Sequence, residues 1–221
     1  METKEIEEFY SRLAAANPRP RSELDFINPF TLLVAVVLSA QATDVSVNKV
    51  TPGLFAVAET PEAMLSLGEE GLRQRIKSIG LFNTKARNII ALSRRLVERF
   101  GGEVPRDRES LQALPGVGRK SANVVLNVAF GEPAIAVDTH IFRVANRTGL
   151  APGRTPLEVE TRLMERTPEL RLHHAHHWLI LHGRYICRAR RPLCEQCPVN
   201  DLCRYDAKTN GVSGNVSRGR G

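Results

Sequence analysis

Aromatic side chains are scarce in this 221-residue chain, at 5%. That is too few for the row of stacked rings that grips a single nucleic-acid strand. Long apolar runs are missing too: the longest, Thr31 to Ala42, is too short to cross a bilayer. It ends in Ala40-Gln41-Ala42 as a signal peptide might, but Glu2, Glu5, Glu7, Glu8, Glu23 and Asp25 precede it. A secretory leader begins short and positive, so a buried helix, no membrane contact and a cytoplasmic location are expected. No segment alternates apolar and polar residues in the strand manner. Glu132 to Val137, interrupted by Pro133, reads as an extended connector. Cysteine is confined to four residues between Cys187 and Cys203. A secreted disulfide scaffold would scatter them; a metal centre in a reducing compartment fits better.

What is present is one helix signal after another. Ile6, Phe9, Tyr10 and Leu13 form a stripe at helical spacing that Asn17-Pro18 ends. Asn28-Pro29, Thr60-Pro61 and Thr155-Pro156 pair a capping side chain with proline at the first helical position. The helix from Pro29 to about Ala40 is apolar nearly all round and belongs in the middle of a domain. Asp44, Asn83 and Asp107 are expected caps, and Gly80, Gly101 and Gly131 expected stops. The fold class is therefore all-α. Gly, Ser, Arg and Asn dominate residues 209–221, a composition that predicts a disordered tail. The net charge of +7 favours a polyanionic partner, nucleic acid first among them.

The richest segment is Leu114-Pro-Gly-Val-Gly-Arg-Lys-Ser-Ala. A short helix from about Arg108 leads into Pro115-Gly116-Val117-Gly118, and a second helix runs from about Arg119 to Phe130. Glycines at a helix N-terminus expose N–H groups to an anion, so a DNA phosphate can dock at Gly116, Val117, Gly118 and Arg119 without regard to sequence. An ordinary packing turn is the alternative. Lys120 falls in the first turn of the second helix, where the dipole and partial burial would ease loss of its proton and make it a nucleophile. Asp138 opens a further helix; it is either an N-cap or a carboxylate that steadies a developing cation, and the two are compatible.

The cysteines are spaced Cys187-x6-Cys194-x2-Cys197-x5-Cys203. Four thiolates in one loop bind a metal centre, and zinc and iron–sulfur suit them equally on chemistry alone. Arg188, Arg190 and Arg191 would form a basic patch on that loop, or merely a solvated charge run. His173 and His177 stand four residues apart, but Trp178, Leu179 and Leu181 beside them favour a packing helix over a metal pair.

With these pieces assembled, the sequence resembles the endonuclease III family of iron–sulfur, helix-hairpin-helix DNA glycosylases with AP lyase activity. The resemblance runs from Ser39-Ala40-Gln41-Ala42-Thr43-Asp44 to Cys203. Its most specific parts are the cysteine spacing, the Leu114–Ala122 segment and Val137-Asp-Thr-His-Ile-Phe-Arg-Val. It implies two helical domains with a DNA-binding cleft between them. One is a six-helix barrel over residues 21–132; the other is an iron–sulfur domain over residues 1–20 and 133–208. It implies a [4Fe–4S] cluster on Cys187, Cys194, Cys197 and Cys203, and a monomer acting on double-stranded DNA with damaged bases or abasic sites. Gln41 and Leu81 would fill the gap left by an extruded nucleotide. His140, Arg143, Arg188, Arg190 and Arg191 would add DNA contacts. Lys120 would attack C1′, aided by Asp138, and the resulting imine would allow β-elimination on the 3′ side. Oxidised pyrimidines are the implied substrates. The related adenine glycosylases lack the lysine and carry a further C-terminal domain, so Lys120 and the short stretch after Cys203 speak against them. A metal-stapled DNA-binding module without catalysis would leave Lys120 and Asp138 without a role.

Overall fold

The computed structural model describes residues 1–208, so the expectation for residues 209–221 lies outside the described residues. Those residues are all-α, with no strand among them, and fall into two compact units.

One unit spans 20–136 together with 172–176. It holds α2 (Pro29–Leu38), α3 (Asp44–Asn48), α4 (Thr51–Phe55), α5 (Pro61–Ile76), α6 (Phe82–Phe100), α7 (Arg108–Gln112) and α8 (Arg119–Phe130). Local chemistry starts these helices. The side chains of Asn28, Thr60 and Asp107 accept the N–H of Thr31, Ala63 and Ser110 at 2.9, 3.2 and 2.8 Å, which is the capping their sequence predicts. Gly101 and Gly131 close α6 and α8 in the left-handed conformation. Asp44 is not a cap: it is the first helical residue of α3, and Thr43 caps it instead. Nor is Asn83, which lies inside α6; the position before that helix is Leu81, and Gly80 precedes it in the turn rather than ending α5. Burial follows apolarity. Nine of the ten residues of α2 are buried, and the helix packs against α6 and α8, while α5 lies along α6. Gly68 interrupts α5 with a φ of 73°, a kink that only a residue without Cβ takes cheaply.

The other unit comprises 1–19, 137–171 and the described residues from 177 on. It contains α1 (Thr3–Ala16), α9 (Thr139–Thr148), α10 (Pro156–Arg166), most of α11 (Glu169–Tyr185) and a 3-10 turn at Cys194–Gln196. The stripe on α1 is buried as expected. Thr155 caps α10 through the N–H of Glu158 at 3.2 Å. Two polar anchors hold α1: Tyr10 Oη lies 2.8 Å from Thr167 Oγ1, and Trp178 Nε1 donates to the Asn17 carbonyl at 2.8 Å. Both groups are buried and would each cost about 1–3 kcal/mol if left unpaired. No helix among the described residues is long and apolar enough to cross a membrane.

Candidate functional site

The hairpin forms as its residues dictate. After α7, Val117 donates its N–H to the Leu114 carbonyl at 3.1 Å and tucks its side chain into the core, so the turn is tight. The two glycines serve different ends. Gly116 has a φ of 79°, where any side chain is strained, and a Cβ there would meet the Asn88 side chain at 2.9 Å. Gly118 is extended and faces open space. It is the N-cap of α8, and no side chain caps that helix. The exposed first turn of α8 thus offers backbone N–H groups and the positive end of the dipole to an anion.

Lys120 stands in that turn, beside Arg119, and both are exposed. The partial burial expected for Lys120 is not found. The Gly118 turn holds the start of α8 at the surface, so dehydration of the amine has to come from whatever covers it. One turn further along, Asn123 is fully buried. It accepts from Arg108 Nε at 2.8 Å and donates to the Ile135 carbonyl at 3.2 Å, tying α7, α8 and the extended connector together. Sequence reasoning passed over this residue, although an asparagine on the apolar face of α8 was a usable signal.

Asp138 caps α9: its Oδ1 accepts the N–H groups of His140 and Ile141, both at 2.9 Å. Its Oδ2 makes no hydrogen bond among the described residues. The cap therefore fixes the carboxylate with one oxygen and leaves the other for chemistry. His140 Nδ1 lies 3.2 Å from Arg143 Nη2. Arg143 is half-buried. Its Nε donates to the Cys187 carbonyl at 2.9 Å and its Nη2 to the Gly183 carbonyl at 2.8 Å, fastening α9 to the cysteine loop.

That loop closes where Leu193 donates to the Ile186 carbonyl at 2.9 Å. It carries Arg188, Arg190 and Arg191 on its exposed rim. Four half-buried cysteines, none in a disulfide, line one cavity together with Arg147, His182 and Tyr205; its empty space is about 330 Å³, part of it open to solvent. Burial pushes the Cys197 thiol up to about 11, helped by the neighbouring cysteines, and raises Cys203 as well. Burial also drives His182 down to about 4, and its Nε2 lies 3.7 Å from Cys197 Sγ. Such thiols need bound cations before they ionise at neutral pH. No three His, Cys, Asp or Glu among the described residues converge tightly enough for a single ion. Zinc would need all four sulfurs about 2.3 Å from one point. The four thiols on one cavity are a donor set that suits an iron–sulfur cluster. The histidines of α11 do not compete for it: His173 Nδ1 lies 3.2 Å from the Gly131 carbonyl, and His176 Nδ1 accepts the Ala136 N–H at 3.3 Å.

Gln41 and Leu81 are exposed, and both have left-handed backbones, with φ of 55° and 60°. The third non-glycine residue of this kind among the described residues is Arg191, at 51°. Each such residue costs on the order of 1–3 kcal/mol and is held only when its surroundings impose it. All three are residues that the family resemblance nominates for DNA contact.

Comparison with known proteins agrees with this picture. Residues 34–169 match the HhH-GPD superfamily of base excision DNA repair proteins, and residues 187–203 match the iron–sulfur binding domain of endonuclease III. The chain is 59% identical to endonuclease III of Escherichia coli (strain K12) over 203 residues, 92% of this chain and 96% of that one. It is 57% identical to endonuclease III of Rickettsia conorii over 205 residues, 93% of this chain and 98% of that one. Among solved structures it is similar to a trapped endonuclease III–DNA covalent intermediate, with a TM-score of 0.86 and 49% identity, covering 92% of this chain and 96% of that one. A thermostable thymine-DNA glycosylase follows at 0.81 and 27%, covering 91% and 96%. The chain thus belongs to the endonuclease III family of base excision repair enzymes, DNA glycosylases with AP lyase activity that hold a [4Fe–4S] cluster.

Proposed function

We propose that this chain removes oxidised pyrimidines from double-stranded DNA and cuts the strand at the abasic sites that result, with Lys120 as nucleophile. The observation that carries the assignment is an exposed lysine in the first turn of α8, beside an N-terminus that no side chain caps. A phosphate bound at Gly116, Val117, Gly118 and Arg119 would bring the deoxyribose of an adjoining nucleotide to that amine and strip water from it.

The nucleotide is first rotated out of the stack, which costs a few kcal/mol and least for a damaged base. Gln41 and Leu81 fill the space it leaves. The neutral Lys120 amine forms a bond to C1′ as the bond from C1′ to the base breaks, and the base leaves with the electron pair. Asp138 stabilises the positive charge that develops on the sugar and, through Oδ2, carries protons between amine, ring oxygen and leaving base. The attached nitrogen gives up its proton and its lone pair then opens the sugar ring: the bond from C1′ to the ring oxygen breaks, that oxygen takes a proton relayed by Asp138, and C1′ and the Lys120 nitrogen form an imine. The imine acidifies C2′, and loss of that proton expels the 3′ phosphate. Arg188, Arg190 and Arg191 neutralise flanking phosphates. When bound, the [4Fe–4S] cluster supplies a structural anchor for this loop through Cys187, Cys194, Cys197 and Cys203. His140 stands next to the Asp138 cap; Arg143 serves the site by holding the loop.

The barrel domain is taken as residues 21–132 and the cluster domain as residues 1–20 and 133–208, although residues 20, 133–136 and 172–176 fall in the compact unit that holds the barrel helices. The enzyme acts as a monomer in the bacterial cytoplasm, on nucleoid DNA. Borohydride reduction on a duplex with one abasic site tests the reading. Wild type forms a covalent adduct, and Lys120→Ala binds the same duplex without forming one. A folded wild-type protein that binds but never crosslinks would make this a DNA-binding module.

A further inference from the structure

Lys85 is a buried amine for which the chemistry above has no use. It lies in the first turn of α6 and is 4% exposed. Lysine is almost never so buried unless it is paired. Among the described residues no carboxylate pairs with it; its Nζ donates to the carbonyl oxygen of Leu38 at 2.8 Å, and burial lowers its pKa. Leu38 is the last residue of α2; the Ala35, Val36 and Val37 carbonyls before it accept from Ser39 and Ala40, and the Leu38 carbonyl accepts from Lys85. An ammonium group there also meets the negative end of the helix dipole.

The position of this contact gives it meaning. Leu38 is three residues before Gln41, in a turn closed by the Ala42 N–H on the Ser39 carbonyl at 3.1 Å. The backbone N–H of Lys85 donates to the Leu81 carbonyl at 3.0 Å. A single residue therefore grips the Leu81 turn with its main chain and the helix end before Gln41 with its side chain. Both gripped turns contain a left-handed residue with a side chain, which does not stay so placed unless held.

We propose that Lys85 is a positioning residue that fixes the Gln41 turn against the Leu81 turn, so that both side chains enter the helical gap together. The proposal rests on the reading of those two residues as gap fillers. It makes a distinction that a merely structural lysine would not: the spacing matters only where a base pair has to be opened and the vacated space refilled.

The test uses Lys85→Met, which keeps an unbranched stem and removes the donor. Two substrates are compared: thymine glycol in an intact duplex, and thymine glycol opposite a missing nucleotide. A 2-aminopurine beside the lesion reports unstacking on binding, before any turnover. Excision from the intact duplex should fall about tenfold or more, and the 2-aminopurine signal should shrink with it. Excision opposite the missing nucleotide should stay at the wild-type rate. An unchanged ratio between the substrates, or an equal loss on both, overturns the proposal. Iron content and melting temperature report folding; should the methionine variant not fold, Lys85→Gln, with a shorter donor, is measured on the same pair. Gln41→Ala and Leu81→Ala serve as references. If they lower the ratio and Lys85→Met does not, only the role of Lys85 is wrong. If they leave it unchanged, the gap-filling reading fails and the proposal falls with it.

Discussion

Arg147 touches a cluster ligand and the basic loop at once: its Nη1 lies 3.8 Å from Cys187 Sγ and 2.7 Å from the Arg188 carbonyl oxygen. Its Nη2 donates to the Ala189 carbonyl at 3.0 Å, and its guanidinium stacks 4.6 Å from the Tyr205 ring centre. The side chain is thus committed to protein groups, while Arg188 and Arg190 remain exposed on the loop it holds.

The two kinds of arginine should separate in binding assays. On the proposed reading Arg188→Ala removes a phosphate contact, so the slope of log affinity against log salt should shrink by about 1. Arg147→Leu leaves the phosphate contacts in number but unclamps the loop. Its affinity should drop several-fold, on the order of 1 kcal/mol for lost charged hydrogen bonds, with the slope unchanged. Anisotropy titrations at several salt concentrations check both.

Asp138 caps α9, and on the proposed reading it also carries protons; substitution can divide the two. Asn is as good an N-cap as Asp, so Asp138→Asn should melt within about 1 kcal/mol of wild type while base excision falls by about 100-fold or more, the scale of a lost acid–base group. Asp138→Ala loses the cap as well and should cost about 1 kcal/mol of stability on top. Thermal melts and single-turnover excision rates measure the two effects separately.

The hairpin glycines should likewise part company. Gly116→Ala forces a Cβ onto Asn88 in a left-handed conformation, and should destabilise the fold by about 1–3 kcal/mol and weaken DNA binding. Gly118→Ala meets nothing in the free protein, so its melting temperature should stay put. Its affinity should still fall for every DNA sequence, because the methyl group stands where a phosphate would approach. Unchanged affinity in Gly118→Ala would make the turn a packing element only.

These contrasts mark what could be read from the sequence. Helix starts at Asn28, Thr60, Asp107 and Thr155 were legible because a cap is a contact across three residues. So was the span of α8, fixed by Gly118 before it and Gly131 after it. The four cysteines were legible as one centre from spacing alone; thiolate chemistry left zinc and a cluster level, and the choice came from the family resemblance, which the match of residues 187–203 to an iron–sulfur binding domain bears out. The cap before α6 was not legible. Asn83 has the right chemistry, but tertiary packing holds Leu81 left-handed and starts the helix two residues earlier than that cap would. Arg143, Arg147 and Lys85 show the other limit. Their partners lie some 40 residues or more away in the chain, at Cys187, Arg188 and Leu38, and no local pattern encodes such a meeting. Exposure of Lys120 belongs here too, since nearby residues suggest partial burial and only the folded turn shows the amine at the surface.

Peptide mapping of the borohydride-reduced adduct by mass spectrometry tests the central claim most directly. With an abasic duplex, the deoxyribose remnant should sit on the Nζ of Lys120, and Lys120→Ala should yield no labelled peptide. A remnant found instead on the α-amine of Met1 or on another lysine, at wild-type yield, would contradict the account.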